Sequence, residues 1–122
     1  LPLEQVLPLV LERIIAMQDD PTIEQLLRIY FSEAVRTPEV ADAIGDLQMF
    51  GLGLLTQYLN RQIELGRLRP HNTQVTARAI VGTILVHFMT GKVFQRLAET
   101  LPEREVYISE ITNIFLDGLS VI

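Results

Sequence analysis

The side chains that could support covalent catalysis are few and scattered in this sequence. Potential nucleophiles are Ser32, Ser109 and Ser120, and potential bases are His71 and His87. A serine hydrolase needs an activated hydroxyl beside a histidine that is itself oriented by a third group. No nucleophile-elbow motif surrounds any of the serines, and one histidine falls in a predicted turn while the other falls in a predicted helix. The sequence therefore predicts no catalytic residue, and we expect that the protein is not an enzyme.

Metal and phosphate chemistry has equally little support. The chain contains no cysteine, which excludes disulfides and thiolate metal sites. It has neither a glycine-rich phosphate loop nor a pair of metal ligands at helical spacing with histidine. We therefore predict no cofactor and no metal site.

The charge balance argues against a generally basic surface. The formal net charge is −5, and Lys92 is the only lysine, whereas phosphate binding needs clustered lysine and arginine. A local basic cluster around residues 61–78 is interpreted as a solvated turn, with an anion or DNA site as the alternative. The longest helical run without a charged residue, 79–91, is too short to span a bilayer. We expect no membrane contact and a cytoplasmic location.

Helical periodicity dominates the chain, and no strand alternation or hairpin motif is visible. Apolar residues recur with helical spacing over residues 3–17, 23–36, 38–65, 73–97 and 103–119. Short turns separate these segments, and no linker or internal repeat interrupts them. The pattern predicts an all-α protein, with about five helices in a single domain.

Capping residues indicate where the helices begin and end. Thr22, Thr37 and Asn72 are predicted N-caps of the second, third and fourth helices, because their side-chain oxygens can accept from free backbone amides. Gly66 can adopt the left-handed conformation that ends the third helix. Pro8 predicts either a kink in the first helix or a late start.

Two segments carry a recognisable order of motifs. Residues 30–39 read Tyr-Phe-Ser-Glu-Ala-Val-Arg-Thr-Pro-Glu, and residues 58–72 read Tyr-Leu-Asn-Arg-Gln-Ile-Glu-Leu-Gly-Arg-Leu-Arg-Pro-His-Asn. A glutamate-alanine pair and a proline-glutamate pair join two helices, and a later helix ends in glycine before a leucine-arginine-proline turn. This order resembles the C-terminal effector-binding and dimerisation domain of tetracycline-repressor (TetR) family transcriptional regulators.

The resemblance implies a TetR-type C-terminal helical bundle in which residues 1–122 form one ligand-binding and dimerisation domain. Members of that family carry an N-terminal helix-turn-helix domain, which this sequence lacks. We therefore expect the chain to be the sensing half of a longer regulator. It would contact operator DNA only through the missing N-terminal domain.

Aromatic and hydroxyl-bearing positions predict a pocket between the second, third and fourth helices. Its predicted lining is Tyr30, Phe50, Leu54, Tyr58, Thr83 and His87. Aromatic walls with a few convergent polar groups are typical of a site for a small, largely apolar ligand. They are also typical of an ordinary helical core. The pocket is favoured because members of the TetR family, which this sequence resembles, bind effectors among these helices.

The fourth and fifth predicted helices are apolar on two sides, and a helix of that kind must bury both sides. The residues assigned to a two-fold interface are Val81, Leu85 and Phe88 on the fourth helix, and Tyr107, Ile111 and Ile114 on the fifth. The resembling family dimerises through its last two helices, which supports a homodimer. The alternative is that both helices are central in a monomer.

Together these observations predict the effector-sensing and dimerisation half of a TetR-type regulator. A small apolar effector would modulate DNA binding by the missing head. The alternatives are a stand-alone helical protein-interaction domain and a small hydrophobe-binding bundle.

Overall fold

Five long helices follow one another in the computed structural model, which describes residues 1–121. They are α1 (Leu3–Gln18), α2 (Pro21–Arg36), α3 (Pro38–Glu64), α4 (Thr73–Phe88) and α6 (Arg104–Leu119). A π-helical turn (Met89–Val93) and the short helix α5 (Gln95–Ala98) lie between α4 and α6. The structure contains no strand within residues 1–121, and the predicted all-α domain with five main helices is confirmed.

Helix α1 is the centre of the core. Leu3, Leu7, Leu11 and Ile15 recur every fourth residue, and all four are buried, as expected for the inward stripe of an amphipathic helix. The helix packs against α4, α6 and α2, while α3 packs mainly against α4 and α2. Since α1 begins at Leu3, Pro8 does not mark a late start of the helix.

The cap of α2 differs from the prediction. Asp20, not Thr22, is the N-cap, and its Oδ1 accepts from the backbone amides of Thr22 at 2.8 Å and Ile23 at 3.4 Å. Pro21 occupies the first helical position, which needs no amide donor. The residue before it is therefore the one that can cap the helix.

The remaining predicted helix ends agree better with the structure. The side chain of Asn72 caps α4 by accepting from the amide of Val75 at 3.2 Å, and Gly66 has a φ of 74°. Thr37 occupies the N-cap position of α3, but its hydroxyl makes no capping bond there. It donates instead to Oε2 of Glu33 at 3.2 Å.

The fourth helix ends earlier than predicted. It was expected to reach Leu97, but α4 stops at Phe88 and the chain widens into the π-turn, where the amide of Phe94 donates to the carbonyl of Met89 at 2.9 Å. Arg28 of α2 donates to the carbonyl of Lys92 within this turn. Tertiary contacts of this kind can override local helical periodicity, and π-turns inside helices are frequent at functional sites.

Candidate ligand-binding site

A partly enclosed apolar cavity of about 290 Å³ lies where the first four helices meet. Its lining comprises Ile14, Met17 and Gln18 of α1, Ile23, Leu27, Tyr30 and Phe31 of α2, Leu47 and Gln48 of α3, and Val81, Ile84, Leu85 and Phe88 of α4. None of the residues of α2 is fully buried. The apolar side of this helix is therefore only partly covered by its neighbours, and Ile23, Leu27, Tyr30 and Phe31 remain half-buried.

Three aromatic rings form one wall of the cavity. Tyr30 and Phe31 pack edge to face with their ring centroids 5.2 Å apart. Phe31 and Phe88 lie 6.0 Å apart with a tilt of 35°, and Phe88 is only 2% exposed. These separations are typical of favourable aromatic pairs, so the rings hold α2 against the end of α4 and present an apolar surface to a ligand.

The polar side chains of the lining are two amides and a phenol. Gln18 is buried, and its Nε2 donates to the backbone carbonyl of Ile84 at 3.4 Å. Gln48 donates from Nε2 to the hydroxyl of Tyr30 at 2.9 Å, and this pair is more exposed. The described lining contains no aspartate, glutamate, lysine, arginine or histidine. A charged group on a ligand would therefore lose its hydration without gaining a counter-ion.

A cluster of ion pairs lies next to this cavity. Asp19 follows Gln18 and pairs with Nζ of Lys92 at 3.1 Å and with Arg104. Lys92 belongs to the π-turn and Arg104 begins α6. The end of α1, the π-turn and the start of α6 are thus joined through one carboxylate.

The structure brings only one of the predicted pocket residues, Tyr30, to the cavity. Phe50 is 67% exposed and lines a shallow groove, and Leu54 is also exposed. Tyr58 donates its phenolic hydrogen to the carbonyl of Leu1 at 2.5 Å, and burial raises its pKa.

Thr83 and His87 also lie outside the cavity lining. The hydroxyl of Thr83 donates to the carbonyl of Ala79 in its own helix at 2.9 Å. The ring of His87 packs on that of Tyr107, with centroids 4.6 Å apart. This contact connects the end of α4 to the start of α6.

The structure places the predicted interface residues of α4 in the cavity lining, and their role in a dimer stays a prediction. Val81, Leu85 and Phe88 were assigned to a dimer interface, but all three line the cavity. Both sides of the helix are apolar enough to be buried, so periodicity could identify the two stripes without showing which one faces inward.

A second group of apolar and threonine side chains on α4, the π-turn and α6 does not line this cavity. We define the outer α4–α6 face as Thr83, Val86 and Thr90 of α4 or the π-turn, together with Tyr107, Ile111 and Ile114 of α6. Val86 is 58% exposed and Ile114 is 64% exposed. Both stripes have the alternating spacing of three and four residues that suits packing against further helices.

The residues that α1 contributes to the cavity were not predicted from the sequence. Gln18 continues the buried stripe of Leu7, Leu11 and Ile15, yet it is polar. A polar residue in the core position of an apolar stripe is a usable signal, because a buried amide needs partners. Gln48 gave no comparable signal, since it lies among exposed residues of α3.

The stability of the folded protein should depend on pH through His87. Its Nδ1 is buried without a hydrogen-bond partner among residues 1–121. Burial lowers the pKa of His87, and the nearby Lys92 lowers that pKa further. The unfolded chain therefore binds this proton more readily than the folded protein does, so the free energy of unfolding contributed by His87 falls as the pH drops below the usual histidine range.

Urea unfolding should show this loss between about pH 7.5 and pH 5.5. His87→Gln, which cannot titrate, should lose less stability than the wild type over the same interval. An equal loss in both proteins would show that His87 does not contribute to the pH dependence.

Two general classes of site find no support in the described part of the chain. No group of three or more histidine, aspartate or glutamate side chains within residues 1–121 is arranged to hold a metal ion. Across the same residues, every helix is too short or too polar to cross a membrane.

Comparison with known proteins identifies the family. The family model for the AefR-like transcriptional repressor, C-terminal domain, matches residues 5–118, nearly the whole chain. No curated protein and no solved structure gives a significant match. The motif order, the helical fold and this match agree, and the chain belongs to the AefR-like C-terminal domains of TetR-type transcriptional regulators.

Proposed function

We propose that this domain binds a small, largely apolar effector in the cavity between α1, α2, α3 and α4, and that it forms a homodimer through the outer α4–α6 face. In the intact cytoplasmic regulator, the effector would modulate DNA binding by an N-terminal helix-turn-helix domain. The family supports the general role, because TetR-type regulators generally act as dimers that bind small-molecule effectors and DNA. They are generally not enzymes.

The observation that carries the proposal is the cavity itself. A volume of about 290 Å³ is roughly twice that of an apolar cavity of about 150 Å³ that accommodates benzene. Four helices contribute to its lining, and the aromatic wall provides the apolar contact that drives binding of such ligands. A void of this size between helices weakens an apo protein, so a ligand that fills it stabilises the folded state.

The position of the cavity gives a physical route to the dimer face. Phe88 lines the cavity and directly precedes the π-turn, and Lys92 of that turn shares Asp19 with Arg104 of α6. A ligand that moves Phe88 would therefore alter the position of α6 relative to α4. The extent to which such a ligand shifts the dimer between two arrangements is limited by the difference between its affinities for them.

Filling the cavity should weaken effector binding. With the ligand bound, the added ring of Val81→Phe would overpack the site, and overpacking typically costs about 1–3 kcal/mol. We expect the affinity for naphthalene, used as a two-ring apolar probe, to fall by roughly tenfold or more. Isothermal titration calorimetry, together with the shift in thermal midpoint, measures the effect.

The matched control is Val35→Phe, because Val35 is almost fully exposed on α2 and does not line the cavity. This variant should bind naphthalene like the wild type. Unchanged binding in Val81→Phe, with its fold intact by circular dichroism, would show that the ligand site lies elsewhere.

A further inference from the structure

The geometry points to an uncharged aromatic alcohol as the effector class, with two fused rings or their equivalent and a hydroxyl group that donates a hydrogen bond to Oε1 of Gln18. This inference rests on the proposed function and adds the chemistry that selects the ligand. Gln18 is 6% exposed, and it is the only polar side chain of the described lining that is buried to this degree.

The orientation of the Gln18 amide follows from its partner. The carbonyl of Ile84 can only accept, so the group that faces it must be the amide nitrogen, Nε2. Oε1 is then left as an acceptor, and it has no partner among residues 1–121, although it is not sealed from water. Because Gln18 is otherwise buried and lines the cavity, the open space beside this oxygen is the cavity.

A free acceptor selects a ligand that carries a donor. A ligand carboxylate would place its own lone pairs against Oε1 and would find no cation in the lining. A cationic ligand would find no free carboxylate, because the neighbouring Asp19 is already paired with Lys92 and Arg104. A neutral hydroxyl satisfies the amide and leaves no buried charge without a partner.

The aromatic wall and the volume of the cavity indicate the remaining properties of the ligand, which are its ring character and its size. The rings of Tyr30, Phe31 and Phe88 favour an aromatic ligand that can stack or pack edge to face. The volume of about 290 Å³ fits two rings better than one, given that about 150 Å³ suffices for benzene. The pair formed by Tyr30 and Gln48 is already hydrogen-bonded at the more exposed side.

Four related probes test the assignment by calorimetric titration of the whole chain. They are 2-naphthol, which carries the donor; 2-methoxynaphthalene, which keeps the oxygen but lacks the donor; naphthalene; and the 2-naphthoate anion. A neutral hydrogen bond contributes about 1 kcal/mol, or about fivefold in affinity. We expect the wild type to prefer 2-naphthol over 2-methoxynaphthalene by about that factor, and to bind 2-naphthoate more weakly than either.

The variant Gln18→Met keeps the length of the side chain and removes the amide. It should lower the affinity for 2-naphthol by about fivefold and leave the affinity for naphthalene unchanged. The hydroxyl assignment is overturned if the wild type binds naphthalene but does not prefer 2-naphthol over 2-methoxynaphthalene, and Gln18→Met weakens the binding of 2-naphthol and naphthalene equally. The proposed function would stand in that case. Tighter binding of 2-naphthoate than of 2-naphthol overturns the neutral class. If none of the four probes binds the wild type, the proposed function fails as well.

Discussion

Ile114→Asp should convert the proposed dimer into a monomer at micromolar protein concentration. Ile114 is 64% exposed in the protomer, and it would be covered by the partner subunit in a two-fold interface on the outer α4–α6 face. An isologous interface repeats every substitution on both subunits, so two carboxylates would be buried without partners. A buried charge without its partner costs about 3–5 kcal/mol, which corresponds to at least about a hundredfold rise in the dissociation constant.

Sedimentation equilibrium or light scattering measures this change in mass directly. Val35→Asp is the matched control, because it adds the same carboxylate to an exposed valine of α2, away from the outer α4–α6 face. It should remain dimeric, and circular dichroism should show that both variants keep their helices. A wild-type chain that is monomeric throughout the micromolar range would rule out a stable homodimer through this face.

The sequence was sufficient for features that depend on local chemistry. The helical spacing of apolar residues over residues 3–17 predicted the first helix, and α1 spans Leu3–Gln18. Asn72 and Gly66 likewise act through backbone groups within a few residues. The family resemblance added the biological role, which local chemistry alone could not supply.

Features that depend on tertiary contacts were not predictable in the same way. The end of α4 at Phe88 reflects contacts that Lys92 makes with Arg28 and Asp19, which are more than sixty residues earlier in the chain. Which side of α4 faces inward is decided by the positions of α1 and α3. A periodic pattern carries no information about the side on which its neighbours lie.

The candidate site shows the same division between local and tertiary information. Tyr30 was predicted and lines the cavity, but Gln18 was missed because the first helix was treated only as core. Phe50 was assigned to the pocket for its aromatic ring, although it is exposed and lines a groove at the surface. Aromatic type alone therefore predicts a wall poorly, whereas a polar residue within an apolar stripe is a more specific signal.

Leu11→Ala should lower the free energy of unfolding by about 2–5 kcal/mol, the usual cost of replacing a fully buried leucine by alanine. Leu11 is only 1% exposed, and α1 packs against α2, α4 and α6. The neighbours of a residue held by several helices cannot easily collapse into the vacated space, which favours the upper part of that range. Urea unfolding monitored by circular dichroism measures the change.

Leu9→Ala removes the same atoms from the same helix at a position that is 54% exposed, and it should change the stability by no more than about 0.5 kcal/mol. Both variants must be compared at one protomer concentration, because the proposed dimerisation would add to the apparent stability by mass action. Equal effects of the two substitutions would mean that α1 does not hold the helices of the core together. In that case α1 could not support the cavity that Ile14, Met17 and Gln18 line. A helix whose core side is loosely packed cannot fix the positions of the side chains that it directs into a cavity.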